Sequence, residues 1–138
     1  VAMNQPNATL LLEDRRFLMA DAVGVGNNTI QAAICKPGND ISVFAWGKTL
    51  EWVASEAEIY EANGISIETV DLKFLNPIDS KLLASSVQKT GRAIFINPPP
   101  QATKSVVDGA FWRLESPLQH IAADRDQLEA AIEAALRY

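Results

Sequence analysis

The sequence has little of several residue types on which common classes of protein depend. It holds one cysteine and one histidine in 138 residues. The single cysteine, Cys35, allows no internal disulfide, and nothing indicates an oxidising compartment. No apolar run approaches the ~20 residues that a membrane-spanning helix needs, and residues 1–7 lack the charged and apolar regions of a signal peptide. We therefore expect a cytoplasmic protein that does not enter a membrane.

Positive charge is also scarce. The chain has 12 Lys and Arg residues against 17 Asp and Glu, a formal net charge of −5, and its basic residues are scattered along the sequence. Neither fact provides the basic patch that phosphate backbones require, so we expect no nucleic-acid partner. With 48% hydrophobic and 21% charged residues, the composition is that of one soluble globular domain with a core of its own.

The first part of the chain differs in pattern from the rest. Residues 8–12 form an apolar run that could be a strand, and a charged cluster follows at 13–16. Gly24 and Gly26 then indicate a flexible connection. We take residues 1–26 as an N-terminal arm and linker, and residues 27–138 as the folded domain.

Within residues 27–138, strand patterns alternate with helical patterns of 10–15 residues. Such alternation predicts an α/β fold of three layers, with helices on both faces of a sheet. The strong turn at 37–40 implies that the strand before it runs antiparallel to the others, so we expect a mixed five-stranded sheet. The predicted strands span residues 29–35, 41–46, 65–72, 93–96 and 118–123.

Capping residues mark the expected helix boundaries. Thr49 can cap the first helix, Asp79 is a good N-cap for the second, and Gly91 ends it. Asp126 with Glu129 resembles a capping box for the last helix. The third helix is expected to bury one face formed by Val107, Ala110, Phe111 and Leu114.

Two stretches resemble a known family. Residues 64–79 read GISIETVDLKFLNPID, and residues 86–92 read SVQKTGR. Together they resemble the C-terminal domain of transketolase-type enzymes, in particular that of the beta subunit of 2-oxoacid dehydrogenases such as the pyruvate dehydrogenase component. The likeness covers roughly residues 28–126, and residues 8–18 resemble the end of the preceding pyrimidine-binding domain. The resemblance implies the transketolase C-terminal fold.

The chain departs from this family at the end of the 93–96 strand. Family members commonly carry a His-Glu pair there, whereas this chain has Asn97 followed by three prolines. A glycine-rich turn and an extra helix normally follow, but here residues 101–104 lead directly into a shorter helix. The resemblance therefore implies a retained framework with an altered active-site edge.

The resemblance also bears on the cofactor. Thiamine diphosphate enzymes of this type hold the diphosphate with a Gly-Asp-Gly and Asn motif, and a Glu contacts the pyrimidine ring. Those groups lie on other domains, and no Gly-Asp-Gly occurs in this sequence. We expect no cofactor, metal or catalytic residue in this chain, and thiamine diphosphate with Mg²⁺ only if partner domains complete the site.

Three polar residues have both a structural and a chemical interpretation. Asp71 ends a strand, where it could be catalytic, although a carboxylate that holds backbone amides of the next turn is favoured. His120 is expected to be structural or exposed, since no nucleophile or orienting carboxylate is evident. Cys35 is expected to be a packed thiol rather than a nucleophile.

An anion site is conceivable where Gly47, Lys48 and Thr49 join a strand to a helix N-terminus, because backbone amides and a lysine can hold an anion there. In this family the strand order reverses between the 41–46 and 93–96 strands. That reversal would place Lys48, Thr49 and Asn97 around the crevice where open α/β sheets bind ligands. Simple helix capping is the alternative, and it is preferred.

Candidate contact residues lie off the apolar helical faces and in the arm. Trp52 and Trp112 lie off those faces, while Phe44, Trp46 and Phe111 are expected to be mostly core. The arm adds the apolar residues Leu10, Leu11, Leu12, Phe17 and Leu18.

Three hypotheses of function follow. The leading one is a non-catalytic assembly or binding domain, a homodimer or part of a larger 2-oxoacid dehydrogenase-like assembly. The second is the C-terminal portion of a working beta subunit that takes part in oxidative decarboxylation. The third is a domain that binds a small anion at Lys48.

Overall fold

A computed structural model of the chain describes residues 31–138, together with Ala8 and Leu10. The rest of the predicted arm, including most of the strand predicted at 8–12, lies outside the described residues. The described strands are β1 (Ala33–Lys36), β2 (Ile41–Ala45), β3 (Ile67–Asp71), β4 (Ala93–Ile96) and β5 (Gln119–Ile121). The described helices are α1 (Thr49–Ala62), α2 (Ser80–Thr90), α3 (Pro100–Ala110) and α4 (Arg125–Leu136), and a 3-10 turn, Phe111–Arg113, follows α3.

The strands form one mixed sheet in the order β1-β3-β2-β4-β5. β2, β3, β4 and β5 run parallel, and β1 is antiparallel to β3. The mixed five-stranded sheet and the single antiparallel strand are confirmed. The partner of β1 is β3 rather than β2, its neighbour in the sequence, so the turn after β1 carries the chain past β3 instead of closing a hairpin.

Helices cover both faces of the sheet and complete the three layers. One core lies under α2 and α3, where Phe44 stacks on Phe95 with ring centroids 4.8 Å apart. The second core lies under α1 and α4 and includes Val43, Ile94 and Leu128. β2 is buried along its whole length because both cores rest on it. Each large side chain so buried contributes about 1.5–3 kcal/mol to stability.

A buried carboxylate connects several elements at the amino edge of the sheet. Glu68 in β3 is 0% exposed. Its Oε1 accepts a hydrogen bond from Ser86 Oγ at 2.6 Å, and its Oε2 forms an ion pair with Lys89 of α2. The backbone amide of Gly38 donates to the same Oε2 at 3.4 Å. One side chain thus joins a strand, a helix and the turn before β2.

Close packing in this region explains why residue 38 is glycine. A Cβ on Gly38 would lie 2.2 Å from the backbone nitrogen of Glu68, so no larger residue fits without moving the strand. The network continues through Ser42 of β2, whose Oγ lies 2.7 Å from the hydroxyl oxygens of both Ser86 and Thr90. These hydroxyl groups hold α2 across β2 and β3.

The predicted boundaries of α2 are confirmed. Asp79 Oδ1 accepts a hydrogen bond from the amide of Leu82 at 3.1 Å, which satisfies one of the free N–H groups of the first turn. Gly91 ends the helix in the left-handed conformation at φ 71°, and its amide donates to Val87 O.

The predicted start of α4 is wrong by two residues. The N-cap is Asp124, whose Oδ1 accepts from the amide of Gln127 at 3.0 Å. Gln127 Oε1 in turn accepts from the amide of Ala122 at 3.0 Å. Asp126 lies within the first turn of the helix.

The predicted buried face of α3 is also wrong in part. The buried residues are Ala102, Val106 and Ala110, whereas Val107 is 40% and Phe111 55% exposed. The α-helix ends at Ala110, and the 3-10 turn that follows changes the direction in which Phe111 points.

The two possible caps of α4 can be compared directly. Asp124→Ala should lower the free energy of unfolding by about 1 kcal/mol, because it leaves an N–H of the first turn without an acceptor. Asp126→Ala is the matched control and should cost about 0.3 kcal/mol, since it removes only a charge near the helix N-terminus. Urea denaturation of both variants measures the difference. A larger loss for Asp126→Ala would contradict this cap assignment.

Candidate functional site

The reversal of strand order expected between β2 and β4 is present in the sheet. From β2 the chain passes through α1 to β3, which lies on one side of β2. It then returns through α2 to β4, which lies on the other side of β2. Strand order therefore reverses between β2 and β4, which is where open α/β sheets bind ligands. The residues that follow Ala45 and Ile96 border the crevice expected there.

On the β2 side, Gly47 and Lys48 make the turn into α1. Gly47 has φ 63°, a conformation that suits glycine, and its carbonyl accepts from the amide of Leu50 at 3.2 Å. Lys48 is the N-cap residue, and no side chain caps the helix. Thr49 is the first helical residue, so the interpretation of Thr49 as the cap is wrong. The first amides of α1 consequently lack a side-chain acceptor.

On the β4 side, Asn97 turns the chain away from the sheet. Its φ of 46° lies in the left-handed region that asparagine tolerates better than most residues. Its amide donates to Ile121 O at 3.0 Å. Its carbonyl accepts from the indole Nε1 of Trp46 at 3.0 Å. The structure thus joins Asn97 to the end of β2 through Trp46.

Trp46 is the residue of the crevice that the sequence analysis missed, because it was assigned to the core. The ring does pack against the core under α2 and α3, but it is only half-buried, and its N–H crosses the crevice. An available signal was its position directly after a strand buried on both faces, since an indole N–H in such a place needs an acceptor.

Asp71 holds the backbone at the end of β3, as the favoured interpretation predicted. Its Oδ1 accepts from the amide of Lys73 at 2.9 Å, and Lys73 has φ 49°. Burial raises the pKa of Asp71, while the hydrogen bond from Lys73 and the lysine charge act against that rise. The carboxylate stabilises an unusual turn, which is a structural role.

Cys35 belongs to the edge strand β1 and lies close to Asp71 of β3. The prediction of a packed thiol is wrong, since Cys35 is exposed. The thiol pKa is raised by partial burial of the sulfur and by the negative charge of Asp71. A raised pKa lowers the thiolate fraction at neutral pH, so Cys35 lacks the activation that a nucleophile needs.

His120 is exposed, which agrees with the prediction. Its Nε2 lies 3.0 Å from Thr103 Oγ1, and its ring is nearly perpendicular to that of Phe95, with centroids 5.6 Å apart. The contacts fix the ring against β4 and α3.

The interface candidates differ strongly in exposure. Trp112 is 93% exposed and packs edge-on against Phe111, with ring centroids 5.2 Å apart. Trp52 is half-buried and packs against the core under α1 and α4. Leu10 is 84% exposed. The other arm candidates, Leu11, Leu12, Phe17 and Leu18, lie outside the described residues.

The described part of the chain contains no cluster of metal-binding side chains. Among residues 31–138, no three His, Cys, Asp or Glu side chains lie close enough together to hold a metal ion. The indole of Trp46 spans the crevice where a ligand would enter.

In the same described part of the chain, no helix is both long and apolar enough to cross a membrane.

The fold and the motif positions agree with a known family. Residues 31–103, which are 73 of the 138, match the family described as "Transketolase, C-terminal domain". The chain belongs to the transketolase C-terminal domain family. The resemblance inferred from residues 64–79 and 86–92 is confirmed.

Curated relatives narrow the position within this family. The pyruvate dehydrogenase E1 component subunit beta of Acholeplasma laidlawii is 31% identical over an alignment of 127 residues that covers 83% of this chain and 39% of that protein. The same subunit of Staphylococcus epidermidis is 33% identical over an alignment of 100 residues that covers 67% of this chain and 31% of that protein. The domain is related to the C-terminal part of 2-oxoacid dehydrogenase beta subunits, and it spans less than two fifths of their length.

Solved structures confirm the fold. A split-gene transketolase, described as an inactive beta4 tetramer, superimposes with a TM-score of 0.64 at 20% identity over 81% of this chain and 43% of that chain. A 2-oxoglutarate:ferredoxin oxidoreductase from Magnetococcus marinus gives a TM-score of 0.54 at 11% identity, over 80% of this chain and 20% of that one. At these identities the likeness concerns the fold alone.

The uncapped start of α1 gives a direct test of the anion site. Phosphate or sulfate should shift the amide NMR signals of Gly47, Lys48 and Thr49, since these N–H groups point out of the helix. Lys48→Ala should weaken the response. Lys81→Ala, which removes an exposed lysine of α2, is the control and should leave the response unchanged. Signals that stay unmoved at high phosphate would reject the site.

Proposed function

We propose that this chain is a non-catalytic assembly or binding domain that associates with a second copy of itself. The observation that carries the proposal is a difference between the framework of the domain and the carboxyl edge of its sheet. The residues that carry the family resemblance stabilise the framework, whereas the carboxyl edge, where ligands of such sheets bind, carries Asn97 and three prolines in place of the His-Glu pair that the resemblance implies.

The framework role can be followed residue by residue. The buried Glu68 carboxylate pairs with the partly exposed Lys89 at the amino edge. Asp71 holds the turn after β3, and Asp79 caps α2. Arg92 donates to Ala135 O at 2.9 Å and so ties the start of β4 to the end of α4. All five residues lie in the two matching stretches, and all five have a structural partner.

The turn after β4 offers no side chain that moves protons near neutral pH. It consists of Asn97 and three prolines, and the proline nitrogens donate no hydrogen bonds. The hydrogen bond across the crevice joins the Trp46 indole to a backbone carbonyl, and neither group titrates near neutral pH. General acid–base catalysis needs a side chain that changes its protonation there.

The alternative of a working beta subunit is favoured by one observation, the names of the relatives. Pyruvate dehydrogenase E1 beta subunits share 31–33% identity with this chain. In that case the domain would contribute to oxidative decarboxylation through contacts with other domains that hold thiamine diphosphate and Mg²⁺. The altered turn at Asn97 argues against this alternative.

The proposal also covers the partner and the compartment. A homodimer is the simplest closed assembly that would cover exposed residues such as Leu10 and Trp112, and a larger 2-oxoacid dehydrogenase-like assembly is the extension of it. We place the domain in the cytoplasm, because one cysteine leaves no internal disulfide for an oxidising compartment to form.

The first test concerns the cofactor. Isothermal titration of the chain with thiamine diphosphate and Mg²⁺ should give no binding heat, because the sequence lacks the diphosphate motif and the described residues lack a metal cluster. Micromolar affinity would overturn the non-catalytic proposal and favour the beta-subunit alternative.

The second test concerns self-association. The full chain should have the mass of a dimer in light scattering, and deletion of residues 1–19 should reduce it to a monomer. The reason is that each apolar side chain buried from the arm contributes about 1.5–3 kcal/mol. A full chain that stays monomeric at high concentration would reject the dimer.

A further inference from the structure

A groove runs between α2 and α3 on the outer face of the domain. It encloses about 730 Å³, and its walls include Ile78, Ser85 and Lys104. Its floor is formed where the helices touch, since a Cβ on Gly109 would lie 2.6 Å from that of Ala84. The small residues at the contact keep the helices close, and the longer side chains on either side leave the space above it open.

The groove leads to an exposed aromatic pair. Gln88 and Gly109 line both the groove and a second depression of about 360 Å³, which Phe111 and Trp112 also line. Trp112 is 93% exposed and Phe111 55%. Large exposed aromatic side chains at the end of a groove are typical of the residues that carry most of the binding energy in protein interfaces.

The N-terminal arm joins the domain at the other end of this groove. The amide of Ala32 donates to Asp79 Oδ2 at 3.3 Å. Asp79 lies between Ile78 and Ser80, both of which line the groove. Residues 1–31 are therefore attached where the groove begins.

The arm is long enough to reach a groove on either copy of a dimer. The 20 residues from Leu12 to Ala32 span up to ~66 Å when extended. The groove has the length of an 11-residue helix, which is roughly 16 Å.

The chemistry of the arm complements that of the groove. Apolar residues at 10–12 and 17–19 flank Glu13, Asp14, Arg15 and Arg16. The groove and its aromatic end present Lys81 and Arg113, while Asp108 is already paired with Lys104 of α3. Apolar side chains of the arm can cover the aromatic pair, and Glu13 and Asp14 can meet the basic groups.

We propose that residues 10–19 of one copy bind in the α2–α3 groove of a second copy, an inference that rests on the proposed self-association. Leu10 is 84% exposed in the single chain, so its own domain leaves it uncovered. Exchange of arms fills both grooves and closes the assembly at two copies.

Cross-linking between unlike chains tests this arrangement. Both chains carry Cys35→Ser. One carries Leu12→Cys with one affinity tag, and the other carries Ser85→Cys, in the groove wall, with a different tag. A short bismaleimide should link the two unlike chains. The link should be lost when Ser85→Cys is replaced by Glu58→Cys, an exposed position on α1 at the opposite face.

The outcomes separate the groove from self-association itself. A dimer by light scattering without the Ser85→Cys link, or with an equal link to Glu58→Cys, overturns the groove and leaves self-association intact. A monomer overturns both. A doubly substituted Leu12→Cys/Ser85→Cys chain that links only within itself when diluted shows that the arm binds its own groove, which overturns the exchange.

Discussion

The position of α2 depends on the buried carboxylate of Glu68. A carboxyl side chain that is 0% exposed is tolerated because Lys89, Ser86 and the Gly38 amide compensate for its lost hydration. Three of the four groups lie on β3 or α2, so the helix can occupy one position along the sheet. That position places Asp79 where it meets the amide of Ala32, and it sets the spacing of α2 from α3. Removal of Lys89 would leave the buried Glu68 carboxylate without its counter-charge, and because Lys89 is 41% exposed the cost lies below the value of about 3–5 kcal/mol for a fully buried pair.

The sequence predicts most of the fold because the strands and α2 depend on local signals. Continuous apolar runs identify strands covered on both faces, and the Asp79 cap and Gly91 stop act within one helical turn. The start of α4 was harder, since Asp124 with Gln127 and Asp126 with Glu129 fit the same spacing. A contact outside the helix decides which aspartate is the N-cap. The amide of Ala122, just after β5, needs an acceptor, and only a helix capped by Asp124 places Gln127 so that its side chain accepts from this amide.

The errors at the candidate site have the same origin. Helical spacing predicted Phe111 as buried, but the α-helix ends one residue earlier, and spacing cannot show where a helix tightens into a 3-10 turn. Cys35 follows an apolar pattern, yet β1 is an edge strand, a fact that depends on which strands pair. The pattern predicts Trp46 as a core residue, and its ring does pack against the core. The hydrogen bond of its indole N–H depends on Asn97, which lies 51 residues away in the sequence.

The contrast between the two edges of the sheet explains why the residues that show the family do not by themselves show an activity. Residues 64–79 and 86–92 carry the resemblance, and several of their side chains cap a helix, hold a turn or pair with the buried Glu68 carboxylate. Substitution of those residues would cost stability whether or not the domain supports a reaction. The turn after β4 is held by its backbone, because the Asn97 amide donates to Ile121 O and the Asn97 carbonyl accepts from Trp46. The side chains of that turn can therefore change at less cost to the fold. Similarity in the framework therefore transfers the fold to this chain, whereas function has to be argued from the carboxyl edge and from the outer helical face.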